Sequence, residues 1–252
     1  MNTYSSYFKN PWTYGMFVVL AVAAGTLYWM PKWLVKLVLS RYNIIYQLNS
    51  RVPIIKYHKR KKVMITIDDA PYYSRLFGSS FEDILNVLEK YDMKVIFFVI
   101  STQVNDQNRE LLIRALKEGH RLENHGRVDK RHSSLSRDDL IYEIDECDKL
   151  LNGLYKEAKV QRPENKLYRP GCGTFNEMML GICRWKKYQM ILGNTYPHDP
   201  FVISPIINYL YIKYHLEEND IVIIHDRAWT PALLERLGPY LKSNNFRTVT
   251  QL

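Results

Sequence analysis

The stretch VMITIDDAP, residues 63–71, joins an apolar run rich in β-branched residues to an acidic turn. Short apolar runs of this kind recur along the chain and alternate with segments of helical periodicity. Strands that alternate with helices predict βαβ units and a parallel sheet, so we expect the α/β class. Seven strands favour a barrel over a split pair of sheets. The predicted strands are 63–67, 94–100, 121–123, 167–168, 189–192, 221–224 and 246–249, and the predicted helices are 81–91, 109–118, 137–155, 176–185, 205–216 and 231–242.

Polar side chains follow five of these predicted strands, at the point where each strand ends. In parallel α/β folds the carboxyl ends of the strands meet at one face, where functional groups collect. Polar side chains buried at the strand ends would need water or a hydrogen-bond partner, so a barrel without a functional site would gain no stability from them. The sequence therefore predicts one functional site built from Asp68 and Asp69, Asn124 and His125 with Asp129 and His132, Arg169, Asp199, and His225 with Asp226.

Each of these residues also has a structural interpretation. Asp68 and Asp69 before Pro71 suit a turn, because Asp and Pro favour local turn geometry. Arg169 could hold a surface carboxylate. His125 and Asp129 are four residues apart, and on one helical turn they would face the same metal ion.

Three of the motifs resemble the NodB-homology polysaccharide deacetylases, carbohydrate esterase family 4, which includes chitin deacetylases. The family patterns T-F-D-D-G-P, R-x-P-Y-G and L-x-L-H-D correspond here to TIDDAP at 66–71, RPGCG at 169–173 and IIHD at 223–226. Their order and spacing match across residues 63–252. The resemblance implies a distorted (β/α) barrel of seven or eight strands that removes N-acetyl groups from an amino-sugar glycan, chitin-like or peptidoglycan-like.

The resemblance also implies a role for each matching residue. Asp68 would be the general base, oriented by Arg169, and His225 the general acid, tuned by Asp199. Asp69 and His125 would be ligands of one divalent metal ion (zinc, manganese or cobalt), which would polarise the acetyl carbonyl and its bound water.

The second family motif, H-[S/T]-x-x-H, departs from the pattern, because Asp129 stands where the family usually has histidine. We expect Asp129 to be the third metal ligand, with His132 as the alternative. A second carboxylate ligand favours harder ions such as manganese. The same departure favours a second hypothesis, a catalytically impaired member that binds glycan or scaffolds a membrane complex.

Two further groups are candidates for substrate binding. Main-chain N–H groups of Gly171, Cys172 and Gly173 could hold the developing oxyanion. Trp229 could form an apolar wall for the sugar or the acetyl methyl group, or it could simply pack the last helix.

An uncharged apolar stretch, WTYGMFVVLAVAAGTLYWM, occupies residues 12–30 after a short N-terminal tail of residues 1–11. It has the length of a transmembrane helix, about 20 residues, and aromatic residues at both ends. We expect a single-pass membrane anchor, with a cleaved signal peptide or a buried helix as the alternatives. Residues 31–62 are basic and amphipathic, which is typical of contact with anionic lipid or of a solvated linker. Residues 63–252 form the predicted catalytic domain.

The formal net charge of +9 is unevenly distributed along the chain. Residues 1–62 contain ten Lys and Arg and no Asp or Glu, whereas residues 63–252 contain 25 basic and 26 acidic residues. The excess charge therefore marks the membrane-proximal segment, and we exclude nucleic acid as a partner. Basic residues after the span place the domain in the cytoplasm, whereas action on a glycan places it outside or in a lumen, so the facing stays open.

Overall fold

The computed structural model describes residues 61–251. Within this range, strands and helices alternate along most of the chain. The strands are β1 (Lys62–Ala70), β2 (Tyr73–Ser74), β3 (Gly78–Ser79), β4 (Ile96–Val99), β5 (Arg121–Asn124), β6 (Lys166–Tyr168), β7 (Tyr188–Met190), β8 (Ile221–His225) and β9 (Arg247–Thr248). The α-helices are α1 (Phe81–Lys90), α2 (Asp106–Lys117), α3 (Arg137–Ala158), α4 (Glu177–Trp185), α5 (Pro205–His215) and α6 (Thr230–Ser243).

The main sheet is parallel, with the strand order β7-β6-β5-β4-β1-β8, and β9 adds to the first residues of β1. The chain after β7 then reaches the other edge of the sheet, where Thr195 forms a parallel bridge with Val222 of β8. The Ile223 N–H donates to the Thr195 carbonyl at 2.9 Å. The sheet therefore curls until its two edges meet, which is the contact that a distorted barrel requires.

Side chains of β1 alternate between two environments. Val63, Ile65 and Ile67 pack with helix residues in the larger apolar core. Met64 belongs to a second cluster, on the inner side of the curled sheet, built almost entirely from strand residues such as Phe98. Since successive strand residues point to opposite faces, Asp68 continues the inner row at the carboxyl end of β1.

Four of the six α-helices in residues 61–251 begin at a residue whose side chain satisfies a free N–H group of the first turn. Asn105, Ser136, Asn176 and Ser204 each accept a main-chain N–H with the side-chain oxygen, at the starts of α2, α3, α4 and α5. These caps stabilise helix ends by about 1 kcal/mol each. They hold the far ends of the connections that lead into α2, α3, α4 and α5.

The structure confirms the predicted α/β class and its largely parallel sheet. Each predicted strand and helix is present, with ends shifted by a few residues. The β2–β3 hairpin was not predicted, because residues 73–79 contain no apolar run of strand length.

The predicted membrane span at 12–30 and the basic segment before residue 61 lie outside the described residues. Among residues 61–251, none of the helices combines the length and the apolar character needed to cross a bilayer. The predicted domain boundary at residues 62 and 63 stays a prediction.

Candidate active site

Asp68 and Arg169 form a buried ion pair at the carboxyl ends of β1 and β6. The Arg169 Nη1 donates to both carboxylate oxygens of Asp68, at 3.0 and 2.8 Å. The guanidinium also donates to the Thr66 hydroxyl at 3.2 Å and to the Ile191 carbonyl at 2.8 Å, and it lies over the Phe98 ring. Arg169 is only 1% exposed and Asp68 only 4%. The arginine therefore crosses the inside of the sheet and holds the carboxylate in one orientation.

His225, which is partly buried, and the fully buried Asp199 form a second pair beside the first. The His225 Nδ1 lies 2.9 Å from Asp199 Oδ1, and the His225 main-chain N–H donates to Asp199 Oδ2 at 2.7 Å. Because the carboxylate can only accept, Nδ1 carries the proton and Nε2 is left for the site. Burial acts to lower the pKa of His225, but the charge and hydrogen bond of Asp199 outweigh it and raise that pKa.

The two pairs are brought together by strand register. His225 is the direct partner of Asp68 in the parallel ladder between β8 and β1. The Asp226 N–H donates to the Asp68 carbonyl at 2.9 Å, which continues the ladder to the strand ends. A carboxylate and an imidazole therefore lie side by side at one face of the sheet.

Asp69 and His125 form the part of the predicted metal set that the structure assembles. The His125 Nε2 lies 3.3 Å from Asp69 Oδ1, and its Nδ1 donates to the Arg169 carbonyl at 2.7 Å. Asp69 adopts a left-handed backbone with φ of 62°, which is uncommon for a residue other than glycine and is often found at functional sites. Burial acts to raise the pKa of Asp69, but His125, His225 and Arg227 outweigh it and hold that pKa well below its ordinary value.

Arg227 occupies the other oxygen of Asp69, and the sequence analysis missed it. The Arg227 Nη2 donates to Asp69 Oδ2 at 2.6 Å, and its Nη1 donates to the Asp226 carbonyl at 2.8 Å. Its guanidinium lies over the Tyr72 ring, 4.2 Å from the centroid. The available signal was a basic residue two positions after His225, at the carboxyl end of β8.

Asp129, the expected third ligand, is exposed and does not join Asp69 and His125. The prediction placed His125 and Asp129 on one helical turn, whereas the chain between them is an irregular loop. The buried Glu143 of α3 accepts the N–H groups of Arg127 and Val128, both at 2.9 Å. This anchor holds the loop against α3 and leaves Asp129 at the surface.

His132, the alternative ligand, is buried behind the loop that follows β6. Its Nδ1 accepts the Gly171 N–H at 3.0 Å and lies 2.7 Å from the Tyr168 hydroxyl oxygen. The ring packs against Gly126, where an added Cβ would lie 2.5 Å from its Cε1 atom. His132 therefore supports this loop from behind.

The donor set does not fit the three-ligand metal site that the family resemblance implies. Among residues 61–251, no three His, Cys, Asp or Glu side chains are grouped to hold a metal ion. Asp69 and His125 supply two suitable ligand atoms, but Arg227 bonds the second oxygen of Asp69. A cationic side chain thus occupies part of the carboxylate that would hold a divalent ion.

The predicted substrate-binding residues lie on two loops at this face. Gly171, Cys172 and Gly173 form a single 3₁₀ turn after β6, with the Cys172 side chain exposed. The Gly171 and Gly173 N–H groups donate to His132 and to the Pro170 carbonyl. Trp229 is half-buried at the start of α6, and its indole N–H donates to the Asp199 carbonyl at 3.1 Å.

Asp226 is a further buried carboxylate that the prediction noted without a role. It accepts the Tyr72 N–H at 2.8 Å and the Ser80 hydroxyl at 2.9 Å. Burial raises the pKa of Asp226 to about 6, against these two hydrogen bonds. It ties the connection after β1 to the end of β8, so its role is to hold the two strand ends together.

A parallel α/β sheet with a buried carboxylate and a histidine–carboxylate pair at its carboxyl face defines a hydrolase-like site. Residues 56–191 match the polysaccharide deacetylase family over more than half of the chain. The chain therefore belongs to the polysaccharide deacetylase family and is a deacetylase-type hydrolase by class. Comparison with curated protein sequences found no match.

Several solved structures share the fold at low sequence identity. The CE4 family pseudoenzyme BA3943 from Bacillus anthracis is 19% identical, with a TM-score of 0.68, and the match covers 79% of this chain and 66% of that one. Peptidoglycan deacetylase PdaC from Bacillus subtilis is 23% identical, with a TM-score of 0.64 and coverages of 75% and 88%. A family 4 carbohydrate esterase from Streptomyces lividans, in complex with acetate, is 19% identical, with a TM-score of 0.66 and coverages of 77% and 94%.

Proposed function

We propose that this protein removes N-acetyl groups from an amino-sugar glycan that is chitin-like or peptidoglycan-like. One observation carries the proposal: Asp68, held by Arg169, lies in register with His225, held by Asp199. Amide hydrolysis needs a base for the attacking water and an acid for the leaving amine, and these two groups meet that need. The acetylated glycan is the substrate class that the family suggests.

The proton transfers follow from the two pairs. Asp68 takes a proton from water as the water oxygen attacks the acetyl carbonyl carbon. The carbon–nitrogen bond then breaks, and the His225 Nε2 gives its proton to the leaving nitrogen. Asp199 stabilises the imidazolium before this step and keeps the ring oriented. The products are acetate and the free amino sugar.

The developing oxyanion needs a donor, and we assign the loop after β6 to that task. The Gly171 and Gly173 N–H groups are already bonded within the protein, so Cys172 offers the main-chain N–H of this turn. Trp229 would face the sugar or the acetyl methyl group from the opposite loop, while its indole N–H holds the Asp199 carbonyl.

A second candidate function is glycan binding or scaffolding without turnover. The observation that favours it is that, among residues 61–251, no third metal ligand is grouped with Asp69 and His125. The fold is shared with BA3943, which is described as a pseudoenzyme, and with a mutant of it that is described as having restored activity.

The N-terminal quarter of the chain bears on where the protein is located in the cell. We propose that residues 12–30 anchor the protein in a membrane as a single span and that the basic residues up to 62 contact anionic headgroups. Protease protection of the domain in sealed vesicles decides the facing. In sealed inside-out membrane vesicles the cytoplasmic face is exposed to added protease. Digestion of the domain in these vesicles would therefore establish that it faces the cytoplasm, and protection would establish that it faces the opposite side.

The test of activity is acetate release from N-acetylglucosamine oligomers by the full-length protein. Asp68→Asn and His225→Gln should each lower the rate by at least about 100-fold, the size of a general acid–base contribution. His198→Ala, on the same loop as Asp199 but exposed, is the matched control and should keep most of the rate. Binding of the oligomers without acetate release in the unmodified protein would favour the second candidate, and absence of both would refute glycan as the substrate class.

A further inference from the structure

We propose that Arg227 is a built-in cation that takes the charge position of a divalent metal ion at Asp69 and thereby suppresses metal binding by this site. The conclusion rests on the ligand geometry around Asp69, where His125 contacts one oxygen and Arg227 the other. It does not require the protein to be active. Only its extension, that any hydrolysis is insensitive to chelators, rests on the proposed function.

Three contacts hold Arg227 in this position. Nη2 bonds Asp69, Nη1 bonds the Asp226 carbonyl, and the guanidinium plane covers the ring of Tyr72. The Arg227 and Asp69 side chains are 14% and 8% exposed. An exposed ion pair contributes little and exchanges readily, but this pair is largely desolvated and has a cation–π partner. Arg227 is therefore held in a fixed position against Asp69.

A metal ion at Asp69 would meet two obstacles. It would have to displace the Arg227 guanidinium from the Asp69 carboxylate, or bind next to it. Repulsion between the two positive charges opposes binding next to it. It would also lack a third protein ligand, because among residues 61–251 no three His, Cys, Asp or Glu side chains are grouped to hold a metal ion, and Asp129 is exposed. Divalent sites with few protein ligands bind weakly unless water or substrate completes them.

Arg227 also supplies positive charge next to the buried carboxylate of Asp69. A buried carboxylate needs a compensating charge, and the chain supplies it from the end of β8. The residue thus performs the charge-balancing part of a metal ion's role, while it cannot bind and activate a water molecule as a Lewis acid does.

The experiment is isothermal titration of the full-length protein with ZnCl₂ and, separately, MnCl₂. Arg227→Gln should raise the affinity of one equivalent of metal by roughly 10- to 100-fold, the range by which neighbours of a ligand alter metal affinity. Arg227→Lys keeps the charge and should resemble the unmodified protein. Arg236→Gln is the matched control, since the exposed Arg236 lies on α6 and donates to the Ala232 carbonyl at 2.7 Å.

The gained site is located by a second substitution. Asp69→Asn in the Arg227→Gln background should remove the added binding, whereas adventitious binding at exposed groups would survive it. Circular dichroism confirms that each variant is folded. If Arg227→Gln does not fold, the titrations of the unmodified and Arg227→Lys proteins decide the question, because tight binding of one equivalent by either overturns the proposal. An unchanged or weaker affinity in folded Arg227→Gln also overturns it.

Discussion

Replacing His132 separates its role as a structural support from a role as a metal ligand. His132→Phe keeps an aromatic ring but removes the acceptor of the Gly171 N–H and of the Tyr168 hydroxyl. Nδ1 has a single lone pair, which the Gly171 N–H and the Tyr168 hydroxyl share. We therefore expect a loss of about 1–3 kcal/mol in the free energy of unfolding, the cost of a buried donor left without a partner. His132→Asn keeps an acceptor oxygen near Nδ1 and should lose less.

The pH dependence of stability gives a sharper magnitude. Burial and the charge of His125 lower the pKa of His132 to about 4 from its ordinary 6.5. As pH falls below 6.5, the unfolded chain takes up a proton that the folded protein refuses, so stability falls. At 1.36 kcal/mol per pKa unit, His132 alone removes about 2 kcal/mol between about pH 7 and about pH 5.

The assay is urea unfolding of the full-length protein, followed by far-ultraviolet circular dichroism at about pH 7 and about pH 5. The unmodified protein should lose about 2 kcal/mol more than His132→Asn over this interval, because the variant has no imidazole at this position. Equal losses in the two proteins would refute the assigned role. So would a His132→Phe variant that keeps its stability to within about 0.5 kcal/mol.

Three further predictions concern the residues that surround the site. Gly171→Ala should cost about 3 kcal/mol against about 1 kcal/mol for Gly173→Ala, because a Cβ at Gly171 would lie 2.1 Å from a backbone oxygen and one at Gly173 meets nothing within 4 Å; equal thermal shifts would contradict this. Arg169→Met should cost about 3–5 kcal/mol in urea unfolding by leaving Asp68 unpaired, and a double variant with Asp68→Asn should recover part of it, so strict additivity would be evidence against the pair. Burial raises the pKa of Asp226 from 3.8 to about 6, so the protein loses about 3 kcal/mol of folding stability as the pH rises through that interval. Asp226→Asn should lack this loss, and a variant with the pH profile of the unmodified protein would contradict the effect assigned to Asp226.

The elements that the sequence predicts best are those with a local signal. The apolar runs that became β1, β4 and β8 are buried strands, and helical periodicity located α1 to α6 to within a few residues. The β2–β3 hairpin has two-residue strands, which leave no periodic pattern to read. Local hydrophobic patterning therefore predicts the sheet and its helices, but not a short hairpin at its rim.

The site residues divide along the same line. Asp68 and His225 lie near the carboxyl ends of β1 and β8, and Arg169 follows β6, so the parallel topology brings them to one face as expected. Asp129 does not join them, because its spacing from His125 was interpreted as helical and the loop is irregular. Arg227 was missed because its partner Asp69 lies 158 residues earlier, and such a contact is visible only once β1 and β8 are neighbours.

The bridge between Thr195 and Val222 has a consequence for folding kinetics. Thr195 lies shortly before Asp199, and Val222 shortly before His225, so the contact that closes the sheet also brings the acid and its carboxylate together. Pairings between distant segments form only after the entropy of loop closure has been overcome. Asp199 and His225 are 26 residues apart in sequence, whereas Asp68 and Arg169 are 101 residues apart. The histidine–carboxylate pair therefore closes the shorter loop, and the Asp68–Arg169 ion pair is the one whose assembly costs more chain entropy.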